Sequence, residues 1–231
     1  MNVVLRQEKK IIIPLDQYYL FSRRLEKIMK EDKHSSGDGY MIRSLYFDTI
    51  DDNDYEDKIN GVEIRRKIRL RSYGPETPFA MLEMKQKQGV YQQKRSLKMD
   101  REDAGRMAAG DYSALLKYEQ DFALECFGLM NTRCYRPRTV ITYTRKAFVA
   151  KENSIRVTFD HHIKATESNF DIFKENLQEN IVFDPYLVVM EVKFNGFLLS
   201  YIKDMLNQCY STEKAVSKYC LGRTVGKNYL F

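Results

Sequence analysis

The chain has 231 residues, which suits one large domain or two small ones, and its 43% of hydrophobic residues is enough for a sizeable core. No uninterrupted apolar stretch approaches the roughly 20 residues that cross a bilayer, so we expect no direct membrane insertion. The net charge of +6 favours an anionic partner only weakly, and the position of the cations matters more than their sum.

The first half of the chain is expected to hold one helix among several strands. Alternating residues predict a strand over Val3–Ile13, which Pro14 ends. Asp16 is the predicted N-cap of a helix that reaches about Lys33, because apolar side chains then recur at helical spacing. Further strands are predicted at Tyr40–Asp48, Glu63–Tyr73, Phe79–Lys87 and Tyr91–Met99.

The second half mixes helices and strands. Asp100–Gly128 is helical in character, and two more helices are predicted from Phe197 to about Tyr210 and over Ser211–Leu221. About eight strands with interspersed helices and no regular βαβ rhythm predict an α+β fold. We expect an antiparallel β-barrel or a strongly curved sheet that forms a single domain over residues 1–231. The remaining strands are predicted at Arg138–Ala150, Ser154–Ala165 and Tyr186–Phe194.

Cysteine and histidine usage argues against several kinds of site. The cysteines have no CxxC spacing, so buried free thiols are expected rather than a metal-thiolate site or a disulfide framework. Three histidines are too few to suggest zinc chemistry built on imidazole. The N-terminus lacks the layout of a signal peptide, which predicts a soluble, cytoplasmic protein. The four cysteines are Cys126, Cys134, Cys209 and Cys220.

The stretch KIRLR carries cations on one face of a predicted strand. Strict alternation places Lys67, Arg69 and Arg71 on one side, whereas Ile68 and Leu70 point to the other and are expected to pack beneath covering helices. A single strand of this kind is most often the solvated outer face of a half-buried sheet. Its recurrence in other strands would favour a different interpretation.

Most of the long strands repeat this pattern, usually with a carboxylate nearby. If these faces converge inside a barrel, a buried cluster of like charges requires a counter-charge. The planar fork of arginine pairs bidentately with phosphate oxygens, so a dense polyanion such as a phosphate chain is the expected ligand. The residues that share such faces are Arg6, Glu8 and Lys10; Glu83 and Lys85; Lys94 and Lys98; Tyr143 and Arg145; Arg156 and Asp160; and Glu191 and Lys193.

Carboxylates among these cations suggest a divalent metal ion. A glutamate in a phosphate-binding cavity is repelled by phosphate unless Mg²⁺ or Mn²⁺ bridges the two. Glu191 is the preferred ligand. Its strand is apolar on the other face, so the face that carries Glu191 is expected to point into a cavity of the protein. For Glu8 and Glu83, a simple salt bridge to a neighbouring cation remains an equally open interpretation.

Short segments of this kind run nearly end to end along the chain, and together they resemble the VTC-type polyphosphate polymerase domain, a branch of the triphosphate tunnel metalloenzymes with a CYTH-like fold. The resemblance implies an antiparallel barrel whose lumen is a tunnel for a triphosphate or a polyphosphate. The matching segments are RQEKK at 6–10, SLYFDT at 44–49, KIRLR at 67–71, LEMK at 82–85, KRS at 94–96, TYTRKAF at 142–148, IRVTFD at 155–160, MEVKF at 190–194 and SKY at 217–219.

Carried over position by position, the resemblance implies a set of site residues. Glu191 is the implied ligand of Mn²⁺ or Mg²⁺, with Glu8 and Glu83 as further candidates. From the residues alone, Ser217 and Lys218 would be an ordinary exposed pair on a helix, so their role rests on the resemblance. Residues implied to act on the reacting phosphates are Lys10, Arg69, Arg71, Arg145, Arg156 and Lys218, and those implied to bind the phosphate chain are Lys85, Lys94, Tyr143, Lys193 and Ser217.

One departure helps to choose within the superfamily. Hydrolytic and cyclase-like members open with a Glu-x-Glu-x-Lys strand, whereas here Arg6, Glu8 and Lys10 occupy the corresponding positions. Fewer carboxylates and more cations fit a long anionic chain better than a two-metal hydrolysis site.

Eukaryotic members also carry a regulatory domain and membrane helices, so a separate membrane protein is a possible partner of this chain.

The expected function is therefore metal-dependent synthesis of polyphosphate from ATP. Two alternatives remain open: a hydrolase of inorganic triphosphate or a nucleotide, and a non-catalytic polyphosphate-binding module. Nucleic acid is not expected as a partner. The 16 tyrosines and 13 phenylalanines could stack on bases, but most lie at core-like positions and no RNA-binding signature is present.

Overall fold

The strands and helices lie close to where the sequence places them. The computed structural model describes residues 6–35, 37–89, 91–209 and 216–227. Short 3₁₀ helices occur at Tyr112–Lys117 and Glu152–Ser154. The strands are β1 (Arg6–Pro14), β2 (Lys30–Glu31), β3 (Tyr40–Thr49), β4 (Ile64–Ser72), β5 (Phe79–Gln88), β6 (Tyr91–Asp100), β7 (Tyr135–Val149), β8 (Arg156–Thr166), β9 (Asn180–Ile181) and β10 (Leu187–Asn195). The helices are α1 (Leu15–Glu26), α2 (Asn53–Ile59), α3 (Arg101–Ala108), α4 (Asp121–Thr132), α5 (Ser200–Asn207) and α6 (Lys218–Lys227).

Hydrogen-bonded strands follow the order β1-β10-β8-β7-β3-β4-β5-β6, with β2 beside β7 and β9 beside β8. The pairs β1–β10, β10–β8, β3–β4, β4–β5 and β5–β6 are all antiparallel. The predicted α+β class with a large antiparallel sheet is confirmed. Each strand alternates its side chains between two faces, so one face can carry charge while the other builds a core.

The chain divides into two compact units. The first unit comprises residues 1–41, 143–163 and 183–217, and the second comprises 42–142, 164–182 and 218–231. Strands β3, β7 and β8 contribute residues to both units. A single domain over the whole chain stays a prediction.

The core of the first unit forms where β1, β8 and β10 pack on α1 and α5. Pro14 ends β1 as predicted, and α1 begins at the next residue. The prediction that Asp16 is the N-cap was wrong, because Pro14 occupies that position and Asp16 lies in the first turn, where its charge suits the helix dipole. The helix also ends at Glu26 rather than near Lys33, since β2 follows. Core residues of this unit include Ile11, Ile13, Phe21, Leu25, Val157, Phe159, Val188, Met190 and Ile202.

The core of the second unit lies between the β3–β6 strands and the helical segment that follows β6. Ile68 and Leu70 are fully buried there, as the alternation of KIRLR predicted. Helices α3 and α4 and the 3₁₀ helix between them cover this face with Met107, Leu115 and Met130. Other residues of the same core include Leu45, Phe47, Leu82, Met84, Leu97, Met99 and Cys126.

The cysteines are free, but only one fits the prediction of buried thiols. Cys126 is buried on α4, whereas Cys134 is exposed and Cys209 and Cys220 are half-buried. Cys134 lies in the turn before β7 with a positive φ of 49°, a position on the surface rather than in the core. In the part of the chain that the structure describes, no helix is long and apolar enough to cross a membrane.

Candidate functional site

The polar face of the second unit is organised around one buried carboxylate. Register between β4 and β5 sets Glu83 opposite Arg69, with Arg71 two residues further along β4 and Lys94 on β6. One carboxylate oxygen of Glu83 lies 2.8 Å from Nε and 2.6 Å from Nη2 of Arg69, and the other lies 2.7 Å from both Arg71 Nη2 and Lys94 Nζ. Burial alone would raise the pKa of Glu83, but the two arginines lower it to about 2. We call these four residues the Glu83 cluster.

The two arginines of this cluster differ in their other contacts. Arg69 Nη1 donates to the hydroxyl of Tyr46, its register partner on β3, at 3.2 Å. Arg71 Nε is buried and has no hydrogen-bond partner among the described residues. A buried N–H without an acceptor is costly, so a ligand oxygen at this position would be stabilising.

A second group of charges lies on the polar face of the first unit, on neighbouring strands. Register between β1 and β10 pairs Lys10 with Glu191 and Glu8 with Lys193. Lys10 Nζ lies 2.7 Å from Glu8 and 3.5 Å from Glu191, and Lys193 Nζ contacts Glu191 and lies 3.8 Å from Glu8. Burial would raise the pKa of Glu191, but the two lysines lower it to about 2. We call these four residues the Glu191 cluster.

Arg145 and Arg156, both in the first unit, each have a carboxylate partner. Arg145 forms a bidentate pair with the fully buried Asp160, at 2.6 and 2.7 Å. Arg156 lies 2.6 Å from Asp32, which the sequence analysis did not foresee because Asp32 follows β2 far away in the chain. The ring of Tyr143 lies 5.4 Å from the Arg145 guanidinium carbon.

The family of the chain follows from a comparison with known protein families. The family model of the VTC domain matches residues 5–226, almost the whole chain. The chain belongs to the VTC domain family. This confirms the predicted resemblance. A comparison with curated proteins finds no match.

Solved structures similar to this VTC domain share its fold at low sequence identity. A candidate adenylyl cyclase from Hippeastrum, described as having a dominant triphosphatase activity, is 14% identical with a TM-score of 0.58, over 94% of this chain and 95% of that one. A candidate adenylate cyclase from Bacillus halodurans is 11% identical with a TM-score of 0.52, over 92% and 95%. One from Vibrio parahaemolyticus is 11% identical with a TM-score of 0.51, over 94% and 97%.

The donor set of the VTC domain fits a hard divalent cation at the Glu191 cluster. Glu8 and Glu191 interact electrostatically, because the negative charge of Glu191, like burial, acts to raise the pKa of Glu8. Lys10 and Lys193 outweigh both effects and leave the pKa of Glu8 below its usual value. Among the described residues, no group of three or more histidine, cysteine or acidic side chains is placed to hold a metal ion. Mg²⁺ commonly takes only one or two carboxylates and completes its shell with phosphate oxygens and water. Glu191 and Glu8 match that requirement, whereas Glu83 is enclosed by three cations.

The C-terminal helix of the VTC domain is anchored by residues that the sequence analysis missed. Tyr219 donates its hydroxyl to the fully buried Asp48 and stacks on Tyr46 with ring centroids 5.2 Å apart. Asp48 also accepts three backbone N–H groups at 2.8–2.9 Å, from Thr49 at the end of β3 and from Asp54 and Tyr55 in the first turn of α2. Because Tyr46 in turn contacts Arg69, this anchor links α6 to the Glu83 cluster.

A second anchor lies one turn further along α6. The buried Arg223 pairs with Asp52 at 2.6 Å and with Glu167, and Arg138 also pairs with Asp52 at 2.5 Å. A Cβ at Gly222 would come within 2.8 Å of the Thr139 and Ile141 side chains, so a larger residue here would force these side chains to shift.

These contacts change the prediction for the C-terminal helix. The expected helix over Ser211–Leu221 instead runs over Lys218–Lys227, and residues 210–215 lie outside the described part of the chain. Ser217 and Lys218 are half-buried rather than an ordinary exposed pair. The spacing of Tyr219, Gly222 and Arg223 on one helix face was the available sequence signal.

Proposed function

We propose that this VTC domain transfers phosphoryl groups from a nucleoside triphosphate, such as ATP, to a growing polyphosphate chain. The observation that carries the proposal is the Glu83 cluster, in which three cations surround one carboxylate and a buried Arg71 N–H lacks an acceptor. Excess positive charge on a half-buried face, presented largely by planar guanidinium groups, suits an anion with several oxygens. Membership of the VTC family supports a phosphate chain as that anion.

In this proposal the cations bind and orient the phosphates. Arg69, Arg71 and Lys94 would neutralise the phosphate oxygens and hold the attacking and leaving oxygens in line. Arg145 and Arg156 would be held by Asp160 and Asp32 in one orientation before the substrate arrives. Phosphoryl transfer of this kind needs no protein nucleophile, because positioning and charge neutralisation supply most of the rate enhancement.

Glu191 and Glu8 are the residues proposed to hold Mg²⁺ or Mn²⁺. A bound ion of this kind would offset negative charge on phosphate oxygens. With the carboxyl pKa of Glu191 lowered to about 2, this side chain stays ionised at neutral pH and so remains able to act as a ligand. Lys10 and Lys193, which each contact both carboxylates, would screen the repulsion between them and keep them in place.

Triphosphate hydrolysis is the second candidate. The similar protein from Hippeastrum is described as having a dominant triphosphatase activity, but at 14% identity it supports the fold rather than the reaction. The same cations could bind inorganic triphosphate with water as the acceptor. The two reactions differ in their product, which makes them separable in one assay.

The test is a purified sample with ATP, or with inorganic triphosphate, and Mg²⁺ or Mn²⁺, with polyphosphate and orthophosphate resolved on a gel. We expect polyphosphate and ADP from ATP. Orthophosphate alone, with triphosphate turned over far faster than ATP, would replace the proposal by the hydrolase. Polyphosphate binding without turnover under either metal would indicate a non-catalytic module.

A matched pair of variants tests the metal role. Glu191→Gln should abolish metal-dependent turnover while polyphosphate binding is largely kept, because the shape of the side chain is retained and its charge is lost. The exposed Glu119→Gln removes the same charge in a loop between the 3₁₀ helix and α4 and should leave turnover unchanged. Full activity of Glu191→Gln would show that the assignment is wrong.

A further inference from the structure

Two adjacent histidines in β8 bring their imidazole rings together. The Nδ1 atoms of His161 and His162 lie 3.0 Å apart, and the ring centroids are 4.6 Å apart at an interplanar angle of 72°. Successive side chains of a regular strand point to opposite faces, so the rings of neighbouring residues do not normally meet in this way. The contact therefore requires a local departure from regular strand geometry. We call these two residues the histidine pair.

The backbone at His162 supplies that departure. Its φ is 52°, in the left-handed region, whereas a regular strand has a φ of about −120 to −140°. A left-handed residue within a strand is typical of a β-bulge, which bends the strand and re-aims a side chain. For a residue other than glycine this conformation is unfavourable, and such outliers are concentrated at functional sites. The cost of this backbone conformation gives the histidine pair its geometry.

The surroundings hold one ring of the pair and leave the other accessible. His161 is 4% exposed, and its ring centroid lies 5.2 Å from that of Tyr18 on α1, whereas His162 is exposed. Burial and the neighbouring His162 lower the pKa of His161, although the carboxylates of Asp38 and Asp160 act in the opposite direction. His161 is therefore neutral at pH 7 and keeps a nitrogen lone pair that can bind a metal ion. An ion from solution can reach the pair from the side of His162.

The distance between the two nitrogens indicates the class of metal ion. Bonds from a metal ion to imidazole are about 2.0–2.1 Å long, so nitrogens 3.0 Å apart subtend an angle of roughly 95° at a shared ion. This angle is close to that of the square-planar or tetragonal shells of Cu²⁺ and Ni²⁺. A tetrahedral zinc site would need the nitrogens about 3.3 Å apart. The spacing therefore favours Cu²⁺ or Ni²⁺ over Zn²⁺.

The histidine pair is separate from the carboxylates proposed to hold Mg²⁺ or Mn²⁺. Glu191 pairs in register with Thr158, and His161 lies three residues further along β8, so about 10 Å of strand separates the two positions. The ligand types also differ, because imidazole suits Cu²⁺ and Ni²⁺, whereas carboxylate and water suit Mg²⁺ and Mn²⁺. Over the described part of the chain no group of three or more histidine, cysteine or acidic side chains could hold a metal ion. The pair would thus supply two ligands, and water would supply the others.

We propose that His161 and His162 chelate Cu²⁺ or Ni²⁺ through their two Nδ1 atoms, with water in the remaining positions of the shell. In the empty pair one Nδ1–H donates to the other Nδ1. On binding, this proton moves to Nε2 of its own ring by exchange with solvent, so that both Nδ1 lone pairs face the ion and no net proton is released. The site goes beyond the proposed function and does not depend on it.

The test is titration calorimetry of the full chain, without a histidine tag, against Ni²⁺, which does not oxidise the free cysteines. His162→Asn removes the exposed imidazole, and asparagine tolerates the left-handed φ of this position. We expect the dissociation constant for Ni²⁺ to rise about 100-fold, because the second metal–nitrogen bond forms within one molecule. The matched control is His34→Asn, which removes the exposed third histidine in the loop between β2 and β3. It should bind Ni²⁺ as the unchanged protein does.

Further measurements locate the bound ion. Electron paramagnetic resonance of the unchanged protein with one equivalent of Cu²⁺ should show coupling to two imidazole nitrogens, and Glu191→Gln should keep the affinity for Ni²⁺. Equal affinity of His162→Asn and the unchanged protein, or an equal loss in His34→Asn, would overturn the site. A loss in Glu191→Gln would instead place the ion at the Glu191 cluster. Tighter binding of Zn²⁺ than of Ni²⁺, or a Cu²⁺ spectrum without nitrogen coupling, would also contradict the chelate, and thermal melting checks that each variant is folded.

Discussion

In the first unit, Arg145 and Arg156 each have a carboxylate of their own and two lysines share two glutamates, whereas in the second unit three cations share Glu83. Asp160 holds Arg145 through two hydrogen bonds, and Asp32 holds Arg156. The charges of the first unit are therefore close to balanced without a ligand.

This difference in charge balance gives the cations of the two units different roles. A buried arginine with a carboxylate partner keeps one orientation whether or not substrate is bound, but breaking such a pair leaves an uncompensated charge. Where cations outnumber the nearby carboxylates, part of their positive charge is left to interact with an anion. We therefore expect the loss of a carboxylate partner of Arg145 or Arg156 to act mainly on stability, and the loss of a cation of the Glu83 cluster to act mainly on phosphate binding.

The largest expected effect is on the balanced pair of the first unit. Asp160→Asn should lower the free energy of unfolding by about 3–5 kcal/mol in urea titrations, because it leaves the guanidinium of Arg145 buried without its counter-charge. The exposed Asp204→Asn on α5 serves as the control and should change stability by less than about 0.5 kcal/mol. A loss for Asp160→Asn no larger than that of the control would remove the distinction between the units.

The next effect concerns the excess cations of the second unit. Arg69→Ala should weaken polyphosphate binding by about 2 kcal/mol, roughly 30-fold, since a charge-assisted hydrogen-bonding group is lost. Titration calorimetry at low and high salt measures it, and the loss should shrink at high salt. Glu83 still forms ion pairs with Arg71 and Lys94 in this variant, so we expect the variant to fold. Unchanged affinity, or an equal loss for the exposed Arg133→Ala, would contradict a binding role.

A smaller effect is expected where α6 is anchored on the second unit. Tyr219→Phe removes the hydroxyl that donates to Asp48 and should lower the free energy of unfolding by about 1–2 kcal/mol. Differential scanning calorimetry gives the change in melting temperature, and Tyr186→Phe at a 71% exposed position is the control. If both variants melt at the same temperature, the buried hydrogen bond does not stabilise the helix.

A pH-dependent effect distinguishes two carboxylates within the second unit. The pKa of Glu83 is lowered, whereas burial and the charge of Asp48 raise the pKa of Asp54 to about 7. The folded state therefore retains a proton on Asp54 that the unfolded state loses near pH 4. This contribution to stability is complete below about pH 4 and is lost as the pH rises to about 7.

Urea unfolding of Asp54→Asn across this range measures that contribution. The variant should show a smaller decrease of stability between about pH 4 and 7 than the unchanged protein. Some dependence should remain, because burial also raises the pKa of Asp48. An identical pH profile for the two proteins would mean that Asp54 titrates normally in the folded state.

Local sequence patterns predicted the charged face of β4 and β5 well. The alternation in β4 placed Arg69 and Arg71 on one face and Ile68 on the other, because side chains of a strand alternate regardless of what packs against them. The grouping of Glu83 with these arginines then follows from a short antiparallel register. Asp32 and Asp48 were missed as partners, since each meets a residue that is distant in the chain and belongs to no repeating pattern.

Local sequence patterns also did not predict where the helices end. The residues after Glu26 continue to look helical, but β2 pairs Lys30 with Val149 and Glu31 with Phe148, and these strand contacts replace the last predicted turns. Helix α6 lies later in the chain than predicted because Tyr219 and Arg223 find buried partners on one helix face. Tertiary contacts outweigh the small differences in helix propensity that a sequence expresses.

The sequence by itself determined the antiparallel α+β class, the cationic faces of the strands and the VTC resemblance, because all three depend on residue alternation and order along the chain. Only the tertiary structure decided which cations are balanced by carboxylates and which are in excess. A strand pattern specifies the direction in which a side chain points, but the free energy of a buried charge depends on the partner that folding brings to it. That partner is Asp160 for Arg145, and for Arg69 and Arg71 it is a single shared glutamate.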